Sequence, residues 1–289
     1  MNELRIDALL PVEMARRAEY LGVRKIETPT VSVFALAVLA GAFIALGAGF
    51  ATTVAAGTVG AWPYGVARLL TGFVFCLGLV LVVVGGAELF TGNSLIVMAW
   101  ASRKVTTRAM LHNWLIVYLG NFAGAVATAA MVVIAGHQSF GDGAVGQAAL
   151  AIARAKTSLG FVQAIALGVL CNALVCLAVW LTYGARSAAD KIAAIVFPIT
   201  AFVAAGFEHC VANMYFVPVA IFIQDFDPGF AASSPPLTWS GFLLGNLLPV
   251  TIGNVLGGAV LVAAVYWAIY LRRSEMQTAS EPGEFEGRK

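Results

Sequence analysis

Glu208, His209 and Asn213 lie close together in AAGFEHCVANMYFV (Ala204 to Val217), a stretch that is otherwise apolar and compatible with a helix. A charged side chain at the centre of a membrane costs about 2.5 to 3.5 kcal/mol on insertion scales, so an acid beside an imidazole in such a setting marks a route for ions or protons. An imidazole exchanges protons near neutral pH, its reference pKa being about 6.5. A second stretch, GAELFTGN (Gly86 to Asn93), aligns with Gly206 to Asn213 as G-x-E-x-x-x-x-N. The device occurs twice, with Glu88 in the place of Glu208. On the first copy, Thr91 offers a hydroxyl that can donate to a neutral imidazole or accept from a charged one.

These groups need elements to hold them. Sixty per cent of the 289 residues are hydrophobic and 11% are charged, a composition that one water-soluble core cannot bury and that belongs to polytopic membrane proteins. A net charge of +2 carries no nucleic-acid signature. Six apolar stretches are long enough for a hydrocarbon core of about 30 Å. They run from Val31 to Phe50, Leu69 to Trp100, Leu111 to Ala135, Leu159 to Tyr183, Ile192 to Ile223 and Phe242 to Leu271. The second and fifth exceed one straight crossing and carry their Gly and polar clusters partway along. Each is therefore expected to be a helix broken by irregular backbone inside a protein-lined cavity. The third and sixth also match, GNFAGAV from Gly120 beside GNVLGGAV from Gly253. The expected fold is an all-α membrane protein of six spans, an inverted 3+3 repeat with its site at the midplane between the broken helices.

Fourteen of the 17 Lys and Arg residues fall on one side of these spans, which places both termini in the cytoplasm by the positive-inside rule. Only Arg68, Arg154 and Lys156 fall on the other side, and none is left for the spans, where Glu88 and Glu208 are the only acids. Residues 1–30 form an N-terminal segment whose Pro11 to Leu21 suits an amphipathic helix on the membrane surface. Residues 31–273 form the membrane domain, and residues 274–289, rich in Glu with Pro and Gly, are expected to be disordered. Met1 to Lys25 lacks the apolar core of a secretory signal, so the first span is expected to direct insertion. The loops Gly136 to Thr157 and Gln224 to Ser240 hold no soluble domain. Cys76, Cys171, Cys176 and Cys210 lie in apolar segments without C-x-x-C spacing and read as small hydrophobes. G-x-S-x-G, H-E-x-x-H and metal-spaced ligand sets are absent, so neither an enzyme nor a cofactor is expected.

An unpaired anion in a low-dielectric slot costs tens of kcal/mol, so it must be held by dipoles, kept wet or neutralised by a proton. Broken helices offer the first option through free N–H groups and positive N-termini, and His209 offers the third. Glu88 and Glu208 read as braces, each accepting hydrogen bonds from the kinked backbone near its own break, rather than as ligands of the ion. Asn172, Asn213 and Asn254 either line the route or join helices as interhelical amides. Phe75, Leu79, Phe90 and Phe202 are ordinary membrane core or, given their nearness to the breaks, hydrophobic constrictions. Lys156 either concentrates anions at a vestibule or snorkels at a helix start.

GAELFTGN, GFEHCVANM, CNALVCLAVW and PVTIGNVLGG together resemble the formate/nitrite transporter family, and the resemblance covers most of the chain. FEHCVANMYFVP and LLPVTIGN resemble its formate-channel branch, whereas GAELFTGN and AKT at Ala155 to Thr157 also resemble the nitrite branch. The repeat differs from the Asn-Pro-Ala pair of water and glycerol channels. The resemblance implies an aquaporin-like fold, a homopentamer among membrane lipid in the bacterial inner membrane, and a pore through each protomer. Its cargo would be formate or another small monovalent anion, with nitrite or hydrosulfide as the alternative, and passage would be passive or proton-linked and pH-sensitive. By motif position, His209 would be the pore histidine and Thr91 its partner. Phe75 and Phe202 would form an outer constriction, and Leu79, Leu89 and Phe90 an inner one. Lys156, Asn172, Glu208, Asn213 and Asn254 would set the polar network, and the N-terminal segment would gate the cytoplasmic mouth.

Overall fold

The structure, a computed structural model, describes residues 8–58, 61–230 and 236–272. The tail expected to be disordered lies outside them. The described residues form helices and turns with no strand. The first half contains α1 (Pro11–Glu27), α2 (Thr30–Ala55), α3 (Tyr64–Gly85), a short α4 (Gly92–Ala101) and α5 (Thr107–Ile134). The second contains α6 (Ala144–Thr157), α7 (Phe161–Gly184), α8 (Ala188–Ala205), α9 (Cys210–Phe226) and α10 (Gly241–Tyr270). Six of these, α2, α3, α5, α7, α8 and α10, are long and apolar enough to cross a membrane. α4 and α9 are shorter apolar helices. They complete the second and fifth spans beyond the two breaks, as the length of those spans implies.

Each break opens in the same way. α3 ends on Gly86 at φ 79° and α8 ends on Gly206 at φ 78°, a left-handed conformation that suits glycine because it has no Cβ. This explains the glycine that begins both motifs. Glu88 N–H then donates to Leu36 O at 3.2 Å and Glu208 N–H to Leu167 O at 3.3 Å, so each irregular segment borrows a carbonyl from a neighbouring helix. Backbone at membrane depth has to find its hydrogen-bond partners within the protein.

The two halves are held by equivalent close crossings, α2 on α5 and α7 on α10. A Cβ on Gly124 would lie 1.9 Å from Val38 O, and one on Gly257 would lie 2.2 Å from Val169 O. Backbone meets backbone at both points, the contact that packs helices where water provides no drive. Overpacking typically costs about 1 to 3 kcal/mol, and here the clash is with main chain that cannot swing aside. Gly124→Ala is therefore expected to lose monodisperse protein in detergent gel filtration. Gly65→Ala, with nothing within 4 Å of its Cβ, is expected to be neutral.

The repeat is larger than three spans. α6 falls inside the Gly136 to Thr157 stretch that the sequence presents as a loop, and it is the mate of α1. α1 is longer than the Pro11 to Leu21 segment and does not lie free on a membrane surface. Met14, Ala15, Ala18, Glu19 and Gly22 are buried against the body of the protein, and Glu19 is paired with Lys104. Its hydropathy pattern reports one apolar face, which serves a membrane and a protein groove equally well.

Candidate functional site

The two breaks are built from the same parts. At the first, Glu88 accepts from Lys25 Nζ on α1 at 2.7 Å and from Asn93 Nδ2 at 2.8 Å. Asn93 Nδ2 also donates to Asn113 Oδ1, and Asn113 Nδ2 reaches Lys25 O. At the second, Glu208 accepts from Lys156 Nζ on α6 at 2.7 Å and from Asn213 Nδ2 at 2.7 Å. Asn213 Nδ2 also donates to Asn246 Oδ1, and Asn246 Nδ2 reaches Lys156 O. The bonding of both glutamates differs from the sequence expectation. Their carboxylates take a lysine and asparagine side chains, not the kinked backbone. The lysines come from α1 and α6, helices outside the six spans.

The kinked backbone is held instead by two further asparagines. Asn121 Oδ1 accepts from Phe90 N–H at 2.9 Å while its Nδ2 donates to Glu88 O and Ala37 O. Asn254 Oδ1 accepts from Cys210 N–H at 2.9 Å while its Nδ2 donates to Glu208 O and Gly168 O. Each amide satisfies one orphan donor and one orphan carbonyl of its break, groups that cost about 1 to 3 kcal/mol apiece when buried unpaired. The sequence singles out Asn254 alone, although the alignment of GNFAGAV with GNVLGGAV carries Asn121 as well. Asn172 Nδ2 joins the two sites, donating to Asn254 O at 2.6 Å, Ser94 Oγ at 3.2 Å and Thr91 O at 3.3 Å. Asn172 and Asn254 both bond across helices.

The symmetry ends at the centre. In the register that superposes the two glutamates, Leu89 falls on His209 and Thr91 on Val211. His209 Nε2 lies 2.9 Å from Thr91 Oγ1, so the histidine of one break meets the hydroxyl of the other. His209 is also the N-cap of α9, its Nδ1 accepting from Ala212 N–H at 3.0 Å. A backbone N–H can only donate, so Nδ1 is the acceptor and the ring proton sits on Nε2, directed at Thr91. In this arrangement the imidazole is neutral.

A cavity ends on either side of this pair. One, of about 370 Å³, opens on the α6 face and is lined by Lys156, Glu208, Phe75, Phe202 and His209 itself. The other, of about 330 Å³, opens on the α1 face and is lined by Lys25, Glu88, Asn93, Leu79 and Leu89. α3 runs from the first cavity at Arg68 to the second at Gly86, whereas α8 ends in the first at Gly206. The helices are therefore antiparallel and the repeat is inverted. Phe75 and Phe202 meet edge to face with ring centroids 5.7 Å apart, and the Phe202 ring lies 5.8 Å from that of His209. Phe75 and Leu79 are one turn apart on α3, so the apolar septum is only about 6 Å thick there. Phe90 is placed elsewhere. It packs edge to face on Tyr118 at 4.9 Å and lines neither cavity. Asn213 is fully buried and lines neither cavity either.

Six spanning helices, two broken spans in inverted repeat and two facing vestibules define a multi-pass membrane transport protein. Comparison with known proteins agrees. Residues 12–268 match the model of the Formate/nitrite transporter family. The chain is 44% identical to "Formate channel FocA" of Escherichia coli (strain K12) over 277 residues, covering 93% of this chain and 97% of that one. It is 40% identical to "Formate channel FocB" of the same organism, covering 94% and 99% respectively. Among solved structures it is similar to a "Pentameric formate channel with formate bound", with a TM-score of 0.78 and 42% identity over 84% of this chain and 98% of that one. The chain belongs to the formate/nitrite transporter family.

Proposed function

We propose that this protein is a channel for formate and similar small monovalent anions, opening through each protomer of a homopentamer in the bacterial inner membrane with the α1 face in the cytoplasm. The observation that carries the reading is His209, bonded to Thr91 across the two breaks, at the thin apolar septum between two vestibules. Formate enters a vestibule as an anion and meets Phe75 and Phe202 on one side or Leu79 and Leu89 on the other. A charge cannot pass such a septum dry. A ring loaded with a second proton on Nδ1 gives its Nε2 proton to a formate oxygen, leaving a neutral ring and formic acid, which crosses and releases the proton beyond. Loading removes the acceptor of Ala212 N–H, so it costs α9 its N-cap, about 1 kcal/mol. The proton step and the cap are linked through one nitrogen.

Purified protein in liposomes is expected to pass formate saturably, with slower nitrite and hydrosulfide flux and no passage of glycerol. Nitrite flux above formate flux assigns the chain to the nitrite branch, and no anion flux at all overturns conduction.

A further inference from the structure

The α6-face vestibule has three charged side chains in its lining, and only two of them cancel. Lys156 and Glu208 form a pair at 2.7 Å, with side chains 15% and 4% exposed, so the lysine brings no net charge to the mouth. The third is Arg68, near the start of α3. Its Nε donates to Ala204 O at 3.1 Å and its Nη2 donates to Val203 O, both at the end of α8. Among the described residues no carboxylate lies within ion-pair distance of it, and its Nη1 has no protein acceptor. On the α1 face, by contrast, Arg24 lines the vestibule with Glu27 at 3.6 Å.

The helix ends do not neutralise Arg68. Through these two carbonyls α8 presents its negative end to Arg68, but that end carries only about half a charge, so the guanidinium keeps a net positive charge. Nor does the repeat require an arginine. In the register of the two glutamates, Arg68 falls on Ala188, and among the described residues no side chain donates to Val83 O or Val84 O, the equivalents of Val203 O and Ala204 O.

We propose that Arg68 is a carboxylate-docking residue at the outer mouth, the first contact of an entering formate. This rests on the formate reading above. Arg68, Thr71 and Phe75 lie at i, i+3 and i+7 on one face of α3 and line the same cavity, forming a file from mouth to septum. The file is about 10 Å long, so an unpaired charge at its head acts over a distance close to the Debye length of about 8 Å at physiological salt. Guanidinium suits the task because its planar fork matches a carboxylate, and two backbone carbonyls pre-orient the fork.

The test is formate flux in vesicles of one orientation, measured from each side at low and physiological salt. Arg68→Gln is expected to raise the formate concentration for half-maximal flux from the α6 side by about three- to tenfold and to abolish the salt dependence of entry from that side. The maximal rate from the α6 side and the half-saturation from the α1 side stay unchanged, while the maximal rate from the α1 side falls by the same factor, as detailed balance in a passive route requires. Arg68→Lys, which keeps the charge without the fork, is expected to retain the salt dependence. If Arg68→Gln leaves half-saturation and salt dependence as in wild type, docking at Arg68 is overturned while formate conduction stands. If both variants lose assembly, Arg68 is a brace of α8 and the proposal falls. If the wild type passes no formate, both readings fall together.

Discussion

His209→Phe flattens the pH profile of formate flux. Wild-type protein in liposomes is expected to change its flux across about pH 5 to 8, the range in which an imidazole can take and give a proton, and the Phe variant is expected to show no such change. The argument rests on two bonds. Nε2 faces Thr91 across the breaks, and Nδ1 holds the amide of Ala212, so the ring links the site to the start of α9. Phe removes both bonds and fills the same space, which confounds loss of the proton with loss of the cap. His209→Asn separates them, because Asn is among the strongest N-caps and carries no exchangeable charge. The Asn variant, which keeps the cap, should be more stable than the Phe variant by about 1 kcal/mol, and both should be flat in pH. A pH profile unchanged in either variant rejects the proton role.

The second large effect is on stability. Glu208→Ala leaves the Lys156 ammonium, 15% exposed, without its counter-charge and frees Asn213 and Asn246 in a buried site. Breaking one side of such a pair costs about 3 to 5 kcal/mol, most of it the penalty of the charge left behind. The equivalent change at the other break, Glu88→Ala, should cost less, since Lys25 and Glu88 are 25% and 13% exposed and water can take over part of the bond. Thermal unfolding of detergent-solubilised protein is expected to rank them wild type, Glu88→Ala, Glu208→Ala in falling order. The double variant Lys156→Met with Glu208→Ala should recover part of the loss because no orphan charge remains. If the double variant is no better than Glu208→Ala, the cost lies in the asparagine network and not in the unpaired charge.

The amino-acid sequence by itself determined the architecture. Span length, the doubled G-x-E-x-x-x-x-N and the doubled Gly-Asn-x-x-Gly of α5 and α10 are properties of neighbours along the chain, and each is set by a local requirement. Backbone must hydrogen-bond within the membrane, a left-handed turn favours glycine, and a backbone crossing excludes a Cβ. The same locality picked out His209 and the two glutamates as residues too costly to be there without a purpose. Only the tertiary structure decided what these groups hold. Lys25 and Lys156 lie 63 and 52 residues from their glutamates. α6 is weakly apolar and short enough to read as a loop, and Phe90 turned towards Tyr118. Partners at that separation are brought together by the crossing of helices whose relative rotation no local pattern encodes, so which cation meets a carboxylate, as Lys156 does, and which meets only carbonyls, as Arg68 does, can be known only once the chain is folded.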